Sequence, residues 1–267
     1  MIAFPNAKIN IGLNVVSKRS DGYHNLESVF YPVKLSDILE IVPSERFEFK
    51  SSGIEIGGSV ENNLVVKAYR LIERDFGIPP VKIHLHKIIP FGAGMGGGSS
   101  DAAFTLKMLK KQFNLDLSKS KLKKYAASLG ADCSFFIDNN PAFASGIGEN
   151  LEQISLDLSD YNIVLVKPKF SVSTAEAYRN INPQKSTFDL KEIIGLPVEK
   201  WKNIVKNDFE ESVFPLYPEI KKIKEKLYEL GAEYASMSGS GSAVYGIFRH
   251  LPMNLDNSLP KGIFIYR

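Results

Sequence analysis

The chain has 267 residues, 44% of them hydrophobic and 24% charged, with a net charge of +3. That is enough apolar material for one large core or two modest ones, and the mix of charges excludes a disordered chain. The small net charge argues against a nucleic-acid-binding arm, the single cysteine Cys133 excludes an internal disulfide, and no run reaches membrane-spanning length. The amino terminus lacks a secretory pattern, so we expect a soluble cytoplasmic protein without nucleic-acid or membrane partners.

Ala7, Ile9, Ile11, Leu13 and Val15 alternate with Lys8, Asn10, Gly12 and Asn14, the period of a strand that puts Lys8 and Asn10 on one face. From spacing alone that face reads as solvated. SKRSDGYHN is a turn with a tight Asp21–Gly22, and a second strand follows through Val33. Residues 47–60 read as a hairpin. Asn62 or Asn63 then caps a helix with Leu64, Ala68, Leu71 and Ile72 inward, stopped by Gly77 and Pro79–Pro80. VKIHLHKI, from Val81 to Ile88, alternates as a half-buried strand. His84 and His86 share its polar face without a third ligand, so they read as solvated side chains.

The run from Pro90 to Ser100, PFGAGMGGGSS, contains Gly92, Gly94, Gly96, Gly97 and Gly98. It joins that strand to a helix whose face carries Ala102, Leu106, Leu109 and Phe113. Glycines let backbone approach a ligand, and a helix start offers unpaired N–H groups with partial positive charge. The pattern predicts a phosphate cradle. Gly92, Gly94 and Gly97 match a dinucleotide fingerprint, but no second strand with its acidic residue follows. No Lys-Ser or Lys-Thr closes the run, so it is not a P-loop.

Ser118 caps a further helix that Gly130 ends, and GADCSFFI follows. By itself Asp132 reads as a helix-exit turn residue, and Cys133 as a small buried one. Near residue 155 the character shifts, dividing the chain into expected domains 1–154 and 155–267. YNIVLVKP is a strand, FSVSTAEAYRNI a turn into a short helix, and NPQKSTFD a linker before a helical stretch with Trp201. Ile220, Ile223, Leu227 and Leu230 mark an amphipathic helix closed by Gly231. ASMSGSGSAVYGIF is a second glycine turn leading into a strand, and GIFIYR ends the chain as another.

The run Pro-x-Gly-x-Gly-Met-Gly-Gly-Gly-Ser-Ser-x-Ala-Ala resembles the ATP-binding signature of the GHMP kinases, with Met95 where leucine is usual. PNAKIN with KRSDGYHNLESVF, and the Gly-Ser-Gly turn, resemble this family's first and third motifs. The resemblance implies an α/β (α+β) fold of two domains with the active site in the cleft between them. It implies ATP as co-substrate, wrapped by Pro90, Phe91, Gly92, Ala93, Gly94, Met95, Gly96, Gly97, Gly98, Ser99 and Ser100, with Asn63 and Lys87 near the adenine. Gly-x-Asp-x-x-Phe-Phe matches the place of the family's catalytic aspartate, making Asp132 the general base, with Lys8 beside the reacting hydroxyl.

The first motif is closest to a branch that phosphorylates the 2-hydroxyl of a cytidine-diphosphate-linked methylerythritol in the non-mevalonate isoprenoid pathway. In that branch Asn10 would orient the hydroxyl. Tyr23 and His24 would hold the cytosine, with Thr174 and Tyr178 over it and Tyr178 stacking opposite Tyr23. Gly239 and Gly241 would let the third motif approach the substrate. Mg²⁺ is expected with ATP, its ligands unassigned except for the candidate Ser100. Two alternatives remain at this level: a GHMP kinase for a mevalonate- or homoserine-type alcohol, and a non-enzymatic ATP-binding regulator. Nothing in the sequence sets the oligomeric state.

Overall fold

In the computed structural model the chain begins with β1 (Ile2–Ala3), β2 (Asn6–Lys18), β3 (His24–Ser36), β4 (Ile38–Pro43), β5 (Glu48–Gly53), α1 (Leu64–Phe76) and β6 (Val81–Lys87). It continues with α2 (Gly97–Gln112), α3 (Lys119–Leu129), α4 (Phe135–Asp138), β7 (Ala142–Ser145), β8 (Asn150–Gln153) and β9 (Asn162–Lys167). The last third holds α5 (Thr174–Tyr178), α6 (Leu190–Ile193), α7 (Phe209–Val213), α8 (Pro218–Glu229), β10 (Tyr234–Met237), β11 (Val244–Phe248), α9 (Leu255–Ser258) and β12 (Phe264–Tyr266). Residues 1–267 are described except Asn180, at the end of the expected short helix, and Thr187, inside the expected linker, which lie outside the described residues.

Contacts gather the chain into two units. The first is Met1–Lys8, Pro32–Phe91 and Gly96–Asn140; the second is Ile9–Tyr31, Gly92–Met95 and Pro141–Arg267. This grouping interleaves along the chain, unlike the linear division at 154/155 expected from the sequence.

In the first unit a sheet of order β1-β4-β6-β5 carries α1, α2, α3 and α4. β5 runs parallel to β6, so the segment expected as a hairpin is instead half of a strand–helix–strand crossover. The intervening α1 is what permits it, since parallel neighbours need a long connection. Asn63 accepts a hydrogen bond from Val65 N at 2.9 Å, and Gly77 closes α1 in the left-handed region at φ 60°. The inward stripe of α1 is Val65, Ala68, Tyr69 and Ile72, with Val66 also buried. The expected face through Leu64 and Leu71 is rotated, because these two remain only partly covered. Each large aliphatic side chain so buried contributes about 1.5–3 kcal/mol. α1 packs on α2, whose Ala102, Leu106 and Leu109 complete the core as expected.

The second unit contains an antiparallel sheet β10-β11-β9-β12. It also holds most of the sheet β2-β3-β7-β8. The amphipathic α8 lays Ile220, Ile223 and Leu227 against Val164, Val166 and Val244, an apolar cluster that fixes β10, β11 and the turn between them.

Candidate active site

Lys8 stands near the start of β2, and Asp132 in the tight turn Ala131–Ser134 that follows α3. The Lys8 ammonium lies 3.3 Å from an Asp132 carboxylate oxygen. The Lys8 side chain is 4% exposed and that of Asp132 32%, so the carboxylate reaches solvent while the ammonium beneath it does not. The ion pair fixes the orientation of the Asp132 carboxylate over the buried Lys8 stem. The stem of Lys8 packs under Gly96, where a Cβ would come within 3.2 Å of its Cγ and 3.0 Å of the Phe136 ring. Cys133 is buried, and burial pushes its thiol up to about 11. Ser99 partly opposes that rise.

α2 starts immediately after Gly96, which takes φ 67° as its cap. Its first turn therefore presents the N–H groups of the glycine run, a ready site for phosphate. Beside it lies a pocket of about 240 Å³ lined by Asn63, Leu64, Leu85, Phe91, Gly98 and Asp101 among others. It is apolar in its walls with polar groups at its rim, the composition of a base-binding slot. Asn63 lines this pocket, and its side-chain carbonyl oxygen caps α1.

Lys87 does not behave as a ligand contact would. Its side chain is 1% exposed, and its ammonium sits between Asp37, its closest partner, and Asp101 at 2.8 Å. The end of β6 turns this side chain inward, where two carboxylates compensate its charge. Asp37 also accepts from Ile88 N at 2.5 Å and Ile89 N at 2.8 Å. Burial raises the Asp101 carboxyl above the usual carboxylate range; Lys87 opposes the shift and the Asp37 charge adds to it. One Asp101 oxygen and the Ser100 hydroxyl are buried with no hydrogen-bond partner.

In the second unit Gly94, at φ 70°, packs against the second glycine turn so tightly that a Cβ would lie 1.9 Å from Ser238 O. The Ser238 hydroxyl donates to Gly94 O at 2.8 Å and accepts from Asn10 N at 3.2 Å. Ala93 and Met95 are buried at 2% and 1%. Gly92 fits against Ser171, and Gly239 approaches both Gly94 and the Asn10 side chain. Gly241, by contrast, packs against Met237. The Asn10 amide donates to Ser28, whose hydroxyl donates to Gly12 O, and Tyr245 donates to Asn10 O.

His24 and Tyr178 are stacked, their ring centroids 4.7 Å apart and their planes 18° from parallel. Tyr178 also meets Phe209 edge-on. β3 begins at His24, so His24 reaches the Tyr178 face, while Tyr23 is 62% exposed in the preceding turn. Burial, with Lys18 adding, lowers the His24 pKa, favouring a neutral ring. Thr174 Oγ1 lies 3.2 Å from Ser240 Oγ, joining the start of α5 to the glycine turn.

Sequence reasoning missed Asp37, Asp101, Ser238 and Asn207. Asn207 is 2% exposed and donates to Met237 O at 2.7 Å and Gly239 O at 2.9 Å. Only Ser238 had a local signal, its place in the Met-Ser-Gly-Ser-Gly string. Among the described residues no three His, Cys, Asp or Glu side chains converge on a cation site, and no helix is long and apolar enough to cross a membrane.

Comparison with known proteins places these features. Residues 63–146 match the GHMP kinases N terminal domain and residues 192–252 the GHMP kinases C terminal domain. A 4-diphosphocytidyl-2-C-methyl-D-erythritol kinase of Bacteroides fragilis is 58% identical over 252 residues, covering 93% of this chain and 92% of the relative. The crystal structure of a 4-(cytidine 5'-diphospho)-2C-methyl-D-erythritol kinase superposes with a TM-score of 0.79 at 33% identity, covering 92% of this chain and 90% of that one. The mevalonate kinase of Methanococcus jannaschii superposes at 0.72 with 14% identity over 100% of this chain and 96% of its own, a likeness of fold alone.

Proposed function

The chain belongs to the 4-diphosphocytidyl-2-C-methyl-D-erythritol kinases of the GHMP kinase family, and we propose that it transfers the γ-phosphoryl group of ATP to the 2-hydroxyl of 4-diphosphocytidyl-2-C-methyl-D-erythritol. It is a small-molecule kinase with ATP as co-substrate, working in the non-mevalonate route to isoprenoid precursors. The observation that carries the reading is the Lys8–Asp132 pair, 3.3 Å apart, with Lys8 packed under the glycine that opens α2.

The transition state of phosphoryl transfer is loose, so positioning and charge stabilisation do most of the work. Asp132 accepts the proton of the attacking hydroxyl as the O–P bond forms. Lys8, 3.3 Å from that carboxylate, orients it and offsets negative charge on the transferring group. The N–H groups of Gly97, Gly98 and Ser99 face the phosphates, and the pocket beside Asn63 and Phe91 takes the base. Mg²⁺ bound to the phosphates would neutralise part of their charge. The buried, unpartnered Ser100 hydroxyl is the protein oxygen that fits it.

In the second unit the stacked His24 and Tyr178 form an aromatic edge suited to a pyrimidine ring. Cytosine would pack at this aromatic pair and pair with the neutral imidazole, with Tyr23 and Thr174 at the rim. Asn10, its backbone fixed by Ser238 and Tyr245, would orient the acceptor hydroxyl. The cytoplasm is the proposed location, in keeping with the free thiol of Cys133.

A coupled ADP-release assay on the whole protein with ATP and Mg²⁺ tests the reading. It compares the cytidyl-methylerythritol acceptor with mevalonate and homoserine. Turnover confined to the cytidyl compound is expected. Faster turnover of mevalonate or homoserine would replace the substrate assignment, and ATP binding without any turnover would favour a regulator.

A further inference from the structure

Three charged side chains, Asp37, Lys87 and Asp101, are 0%, 1% and 2% exposed, yet the reaction described above uses none of their charges. Burying an ionic cluster is costly unless every member is compensated, so such a cluster calls for a reason. Its location supplies one. Asp37 stands in the single-residue step between β3 and β4, Lys87 is the last residue of β6, and Asp101 lies in the second turn of α2. The cluster therefore joins the strand that enters the glycine run to the helix that leaves it.

Asp37 makes the connection on both sides. Its carboxylate receives Ile88 N and Ile89 N, the two residues just before Pro90. Its own N–H donates to Pro5 O at 2.9 Å, at the start of the segment that ends in Lys8. Lys87 then supports the loop from below: a Cβ on Gly97 would stand 2.9 Å from its ammonium nitrogen. Its backbone is held too, since Lys87 O receives Ile54 N at 2.9 Å. Asp101 completes the cluster while lining the base pocket with Asn63, Phe91 and Gly98. An apolar triad of the same volume would fill the space. It would leave Ile88 N and Ile89 N without an acceptor and give the loop no fixed height over β6.

We propose that Asp37 and Lys87 are positioning residues for the nucleotide, a buried ion cluster that sets the height of the first turn of α2 over β6 and ties the glycine run to the strand segment bearing Lys8. They touch no reacting atom. Their effect passes through Gly97 on one side and Pro5 on the other, and it rests on the reading of the glycine run as the ATP site.

Lys87→Met keeps the length of the side chain and removes its charge. Asp37→Asn keeps one oxygen for Ile88 N and Ile89 N and removes the charge from the other side. On the full-length protein, below the melting temperature of each variant, the Kd for ATP by titration calorimetry and the KM values for ATP and for the cytidyl acceptor are measured. Both variants are expected to raise the ATP Kd and KM at least tenfold, while the acceptor KM stays within about twofold. The Lys87→Met/Asp37→Asn chain, which removes one charge of each sign, should regain melting temperature and still show the raised ATP KM.

Folded variants that bind ATP with wild-type affinity would overturn the proposal and leave the cluster a purely structural one. A rise in both KM values together would also overturn it. Should Lys87→Met fail to fold, Asp37→Asn carries the same test. Failure of the wild-type protein itself to bind ATP would instead bring down the reading of the site, and the proposal with it.

Discussion

The ammonium of Lys8 lies 3.3 Å from the carboxylate of Asp132, although 124 positions of sequence separate them and only the carboxylate reaches solvent. Replacing Asp132 with alanine should remove the proton acceptor without touching the N–H groups of the glycine run. Turnover is expected to fall by roughly 10²–10⁴, the usual contribution of general base catalysis. ATP affinity, read by calorimetry, should stay within a few-fold. An equal loss in affinity would remove Asp132 from the role of base.

Two glycines of the same run should respond in opposite ways. Gly94→Ala forces a Cβ to 1.9 Å from Ser238 O at φ 70°, and neither backbone can give way cheaply. The melting temperature should drop and turnover with it. Gly98 has its nearest neighbour at 3.8 Å, so alanine there fits the ligand-free protein. Inside a helix the change contributes about 0.5–1 kcal/mol of stability. Because Gly98 lines the base pocket, its ATP KM should rise while the melting temperature holds or increases. A Gly98→Ala protein with unchanged ATP KM would count against the pocket as the base site.

His24 carries a pH dependence. Burial, with Lys18 adding, lowers its pKa below the ordinary imidazole value of about 6.5. The folded state therefore binds fewer protons than the unfolded state at mildly acidic pH. The contribution to stability is complete above the unfolded value and is lost as pH falls through the folded one. A neutral ring that pairs with cytosine should follow the same course. The acceptor KM should stay flat from pH 8 to the ordinary imidazole pKa and rise only below it. In His24→Asn the rise should disappear, and a rise that persists in that variant would assign the titration elsewhere.

Asn207→Ala removes the donor to Met237 O and Gly239 O and the acceptor for Phe209 N at 3.0 Å. Each buried group left without a partner costs about 1–3 kcal/mol. We expect a lower melting temperature, measured by calorimetry, and reduced turnover. The reason for the second effect is that Gly239 loses the anchor that keeps it against Gly94 and Asn10. Normal turnover per folded molecule would detach the second glycine turn from catalysis.

Short-range patterns carried much of this protein in legible form. Alternation from Val81 gave β6, the caps at Asn63 and Ser118 opened α1 and α3, and the glycine run announced a backbone approach that side chains would forbid. Those signals are local, set by dihedral preference and by which face is apolar, so a linear string contains them. The inward face of α1 was misjudged because Leu64 and Leu71 also fit a helical period, and only packing on α2 selected Val65, Tyr69 and Ile72. Likewise β5 could pair in a hairpin or across α1, and the sheet chose.

The site divides along the same line. Lys8, Asp132 and the glycine run were nameable from motifs, but their distances were not. The sequence by itself determined the family, the reaction class and the residue types. Tertiary structure alone decided that Lys87 turns inward between Asp37 and Asp101, that His24 and not Tyr23 meets Tyr178, and that Ser238 clamps Gly94. Each of those joins residues far apart in the chain, and each depends on desolvation and close contact, quantities that exist only once the strands and helices have been brought together.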